Sequence, residues 1–167
     1  MLRAVAENGD FIRYLVERHE GEVYGEAVFA ALAEHTADAE ARYRWRVLEA
    51  LERETKELLG RELRARGREP GEAAQKQAEG QTLGKTLAAV PRDFLIKGLR
   101  GEIVKFVAEY EAAEPLAPPD GAALARHITA HERAILEWVD LELASPGADT
   151  TAPVRALLAA PPQRAGI

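Results

Sequence analysis

Between Gly9 and His35, the residues spaced three and four apart are Ile12, Leu15, His19, Glu22, Glu26, Phe29 and Ala33, the repeat of one helix face. That face is apolar at both ends and carries an imidazole and two carboxylates in its middle. Burying such groups has a large desolvation cost unless they are paired, protonated or bound to a metal ion. The interruption recurs along the chain. A second stripe reads Trp45, Leu48, Glu52, Thr55 and Leu59, with Glu49 on its shoulder, and a third reads Leu95, Leu99, Glu102 and Phe106. A fourth reads Leu124, His127 or Ile128, His131, Ile135 and Trp138, with Glu132 adjacent. Carboxylates and an imidazole at one level of several helices form the donor set of a metal site in a bundle core. Carboxylate oxygens suit iron or manganese, and histidine adds a neutral nitrogen. The candidate ligands are Glu22, Glu26, Glu49, Glu52, Glu102 and His131. The same acids suit ion pairs with arginine at the edges of the stripes, and His131 between two isoleucines suits a hydrogen-bonded core position.

The elements that must position these groups are helices. The first is expected from about Ala6 or Asp10 to His35, with Gly21 and Gly25 each costing about 1 kcal/mol against alanine and admitting a close neighbour beside Glu22 and Glu26. Thr36 or Asp38 can cap the second, which ends in a basic turn and Gly67. The turn between them is so short that they must lie antiparallel, which brings residues 22–26 level with about 47–51. The segment from Pro70 to Pro91 is weakly amphipathic and reads as a partly helical crossover. Asp93 starts a third helix and Asp120 a fourth, and the break between them sets Glu102 and His131 at nearly the same height. From Ser145 onward proline, glycine and threonine dominate, with one short helix expected near Val154 to Ala160. The domain assignment is a bundle over 1–144 and a tail over 145–167.

Composition narrows the function classes. The 167 residues contain no cysteine, so a thiolate metal site, a cysteine nucleophile and a disulfide framework are all excluded. Ser145 is the only serine, and Gly80-x-x-x-Gly84-Lys85-Thr86 is one residue short of a phosphate loop. The net charge is −6 with bases and acids intermixed, which argues against nucleic acid. With no membrane-length apolar window, a soluble cytoplasmic protein is expected.

Taken together, the GEVYGEAVFAALAE, LEALERET and HITAHERAILEWVDLELA helices and the long second-to-third connection resemble the ferritin-like superfamily of ferritins, rubrerythrins and diiron oxygenases over roughly residues 10 to 144. The resemblance implies an all-α, up-down-down-up four-helix bundle binding iron or manganese, with oxygen or peroxide as co-reactant. The family pattern is a Glu, a Glu-x-x-His, a Glu and a Glu-x-x-His on successive helices. It falls here on Glu22 or Glu26, on Glu49-x-x-Glu52, on Glu102 and on Ile128-x-x-His131. One histidine is replaced by glutamate and one glutamate by isoleucine. Two function classes follow: a metal-binding bundle for redox or oxygen chemistry, and a metal-free bundle that binds a small molecule or forms a homodimer. For the dimer the candidate face on the first helix is Tyr14, Val23, Ala27 and Ala30.

Overall fold

A computed structural model describes residues 2–71, 73–145, 148–160 and 162, with side chains from Gly9 onward. Among these residues the chain is all helical: α1 (Leu2–His35), α2 (Ala39–Ala65), α3 (Ala74–Leu87), α4 (Arg92–Ala113), α5 (Ala122–Ala144) and the short α6 (Ala152–Arg155). A 3-10 turn at Glu114–Leu116 follows α4.

Local chemistry sets the ends of α2. Asp38 caps its start by accepting from the Ala41 amide at 2.7 Å. At the far end Gly67 takes a positive φ of 73°, which lets the Arg68 amide reach back to the Leu63 carbonyl at 2.9 Å and close the helix. The linker between α1 and α2 holds them as an antiparallel hairpin. Its layers are marked by Phe29 stacked on Trp45 and by Arg53 donating to Glu26.

The connector is more than a link. Its helix α3 packs along α1, with Gly80 beside Tyr24 and Gly84 beside Val28, so the two helices run parallel. A Cβ at either glycine would stand 2.5 Å from an α1 carbonyl oxygen, which is why this seam admits only glycine. Ala27 is buried beneath it, while Val23 and Ala30 line a surface cleft of about 450 Å³ between α1, α2 and the start of α3. The α1 face expected to be free for a second copy is therefore partly occupied by the chain's own α3.

The other half of the molecule is the α4–α5 hairpin, antiparallel because Arg100 pairs with Asp140 and Arg133 with Glu111. It meets the first half mainly through α5, which lies antiparallel to α2. The Trp45 and Trp138 rings pack edge-on at 5.4 Å, Thr55 bonds His131, and Arg66 bonds Asp120 at 2.6 Å. The tail packs against this seam. Val154 and Leu158 join the core, and Glu142 is held by Arg44 at 3.0 Å, by Arg92 and by Thr150.

The apolar core falls into two clusters. One gathers Val28, Phe29, Leu32, Trp45, Leu48, Ile103, Ile135 and Trp138, and the other Phe11, Leu15, Leu59, Leu63, Tyr110, Leu124 and Ile128. Polar side chains fill the level between them. Phe106, expected as core filler, is 40% exposed, because α4 buries Leu95, Ile96, Ile103, Val107 and Tyr110 instead.

Candidate metal centre

The polar level is built from α1, α2 and α5. Glu22, Glu52, His131 and Glu132 are all buried there, with His131 only 1% exposed. One donor atom from each of Glu22, Glu52 and His131 lies within 4.8 Å of the others. His131 is oriented by Thr55, whose hydroxyl meets Nδ1 at 2.9 Å. That contact turns Nε2 toward Glu52 Oε1, 3.4 Å away and out of line for a hydrogen bond, while Glu22 Oε2 stands 3.7 Å from Nδ1. Glu22 Oε2, His131 Nε2 and Glu132 Oε2 are buried without a hydrogen-bond partner. Leaving a buried polar atom unsatisfied costs about 1–3 kcal/mol, so three at one level of the core mark a place that favours a further ligand or shared protons.

Glycine explains how a carboxylate fits between packed helices. A Cβ at Gly25 would lie 2.3 Å from Glu52 Oε2 and 2.7 Å from Cδ, so the missing side chain on α1 is the notch that receives the α2 carboxylate. The expected close neighbour of Gly25 is thus a side chain, whereas nothing approaches Gly21. On the α1–α4 side the level is closed by Arg18. Its guanidinium lies 4.5 Å over the Tyr110 ring and 5.6 Å from that of Tyr14, and it pairs outward with Glu109 at 3.6 Å.

Burial dominates the electrostatics. It pushes Glu22 well above the usual carboxylate range, against the pull of His131, and lifts Glu132 to about 7. Burial also pulls the His131 imidazole down, but the Glu22 and Glu52 carboxylates outweigh it and raise the group to about 10. The Tyr14 hydroxyl is lifted to about 12 and the Tyr110 hydroxyl higher still, so both remain neutral donors.

The six residues expected as ligands divide. Glu22, Glu52 and His131 come together. Glu26 instead joins Arg53 at 2.9 Å and Lys56, and Glu49 joins Arg46 at 2.5 Å and Arg53. Glu102 lies on the surface with Lys105 at 2.6 Å, because α4 turns the face one residue further on toward the core. Thr55, Arg18 and Tyr110 were not singled out from the sequence as site residues. Thr55 carried a signal, standing on the same stripe one turn after Glu52. Glu132 lies about 100° round the helix from His131, yet α5 is covered on both flanks and buries both.

The chemistry available is that of two carboxylates and one imidazole around a single point, with a third carboxylate beside them. Once their protons are displaced, the two carboxylates would neutralise a divalent ion, and a Thr55 hydroxyl accepting from Nδ1–H would leave Nε2 as the donor atom. These donors fit one ion. They do not fit two, since the residues that α4 buries, Leu95, Ile96, Ile103, Val107 and Tyr110, include no acid. The sequence matches no family model, no curated protein and no solved structure.

Proposed function

We propose that this chain is a metal-binding helical bundle of ferritin-like architecture that holds one divalent iron or manganese ion through Glu22, Glu52 and His131. The observation that carries the reading is the set of buried polar atoms without a hydrogen-bond partner at the polar level between the two core clusters. The helix directions support the architecture. With α1 taken as up, α2 runs down, α4 down and α5 up, and α3 returns the chain between the second and third members, as a ferritin-like crossover does. When bound, such an ion supplies one-electron redox capacity and a Lewis-acid position in a site closed to bulk water. The chain's own groups have definable tasks. Thr55 fixes the imidazole tautomer and ring plane, and Gly25 sets the position of the Glu52 carboxylate. Glu132, near 7, can hold or release a proton beside the donors at neutral pH. Arg18 and the neutral Tyr110 close the level toward α4.

The test is elemental analysis of protein purified without chelators, followed by anaerobic Fe(II) and Mn(II) titration of the metal-free form. One ion per chain, lost in Glu52→Gln and in His131→Ala but retained in Glu26→Gln, supports the reading. Two ions per chain overturn the single-ion site, and none overturns the metal function.

One observation favours a second reading, a metal-free bundle. His131 raised to about 10 is a cation at neutral pH, and can itself balance a neighbouring carboxylate. In that case thermal stability is independent of added metal.

A further inference from the structure

The large apolar side chains that are most exposed among the described residues are Phe94, Val104, Phe106 and Leu116, all on α4 or in the 3-10 turn that follows it. The outward face of α4 is ordered. Phe94, Gly98, Gly101, Lys105, Ala108 and Ala112 are all exposed, and their spacings of four and three repeat as the a and d positions of a heptad. This heptad lies opposite the face that α4 buries. Gly98 and Gly101 disfavour the helix relative to alanine, and among the described residues nothing outside the adjoining turns of α4 lies within 4 Å of a Cβ placed at either. Gly80 and Gly84 of α3 have a neighbouring backbone to explain them. The α4 pair has none among the described residues.

The charges beside this stripe say what fits it. Lys97 precedes Gly98 and makes no ion pair among the described residues, and Glu102 follows Gly101 on the opposite edge. In a parallel helix pair, residues at these two edges approach across the seam when they are five apart. Lys97 of one copy then meets Glu102 of the other, and the two-fold axis repeats the pair. Lys105 does not spoil the seam, since it bends to Glu102 of its own helix at 2.6 Å.

We infer that the outer face of α4 is the self-association surface of this protein, two copies packing their α4 helices in parallel around Gly98 and Gly101. Phe94 closes one end of the seam, and Ala108 and Ala112 line the other. The interface is independent of the proposed metal centre, which lies inside each copy.

The lack of cysteine permits a direct test on the full chain. Sedimentation equilibrium from micromolar to millimolar concentration should show the mass rising toward twice 18.3 kDa. Phe94→Glu and Lys97→Glu, both exposed changes checked for unaltered helix content, should each raise the dimer dissociation constant by about tenfold or more. Lys97→Glu with Glu102→Lys should recover most of that loss. Ala108→Cys should form a disulfide-linked dimer under mild oxidation much faster than Arg61→Cys, on the exposed side of α2. A monomer throughout the concentration range overturns the inference. So does a dimer that Phe94→Glu leaves intact, or one in which Ala108→Cys crosslinks no faster than Arg61→Cys.

Discussion

Gly25→Ala separates the geometry of the polar level from the stability of the helix that carries it. A Cβ at this position meets Glu52 Oε2 at 2.3 Å, whereas ordinary contact begins at 3.4 Å, so the carboxylate must retreat by about 1 Å. Metal–ligand distances tolerate about 0.2 Å. The retreat therefore removes Glu52 from a shared ion even though its charge and burial are kept, and the affinity for Fe(II) or Mn(II) should fall by at least about tenfold. Stability responds differently. Alanine in place of a helical glycine contributes about 1 kcal/mol, and forcing Glu52 off its rotamer costs about 0.5–1.5 kcal/mol. The metal-free protein should then melt within about 2 °C of the parent, since 1 kcal/mol moves a chain of this size by roughly 2–4 °C. The assay pairs calorimetric metal titration with thermal unfolding of the metal-free form. An unchanged affinity in a variant that binds metal would refute the notch as the device that sets Glu52.

Three further outcomes follow from the same structure. Glu132 is raised from the usual carboxylate value to about 7 by burial, so the folded state holds its proton more tightly than the unfolded state. Stability of the metal-free protein should fall as pH rises from about 4.5 to 7, by about 3 kcal/mol at most from this group, and Glu132→Gln should flatten that part of the slope in urea denaturation. Gly84→Ala drives a Cβ to 2.5 Å from the Val28 carbonyl and 2.7 Å from the Ala31 Cβ, atoms that cannot swing aside. It should cost about 1–3 kcal/mol in the same denaturation assay, the opposite pattern to Gly25→Ala. Glu102→Gln, on the surface of α4, should leave metal stoichiometry and affinity unchanged; a lost ion would return Glu102 to the ligand set.

Periodicity and punctuation in the sequence determined the four long helices α1, α2, α4 and α5, the short α1–α2 turn with its Asp38 cap, the Gly67 stop, and the level at which ionisable groups interrupt apolar stripes. These are local properties, decided by helix geometry and by where the chain can end a helix. Glu22, Glu52 and His131 were legible because each lies on a stripe that is apolar at both ends and interrupted in its middle. Only the tertiary structure decided the rotation of α4. Phe94, Leu95, Ile96, Leu99, Ile103, Val104, Phe106 and Val107 surround that helix, so two stripes one residue apart were available and spacing could not choose between them. Packing against α5 buried Ile103, Val107 and Tyr110, which took Glu102 out of the core. Tertiary contacts also gave Gly25 its meaning, because the carboxylate it accommodates comes from another helix. They buried Glu132, since burial depends on which helices flank a residue as well as on the stripe it occupies. Glu26 shows the same limit from the other side, as Arg53 and Lys56 of α2, brought near by the fold, satisfied it at the edge of the α1–α2 seam, whereas Glu49 is paired within its own helix by Arg46 and Arg53 at the spacings of three and four that the sequence already displays.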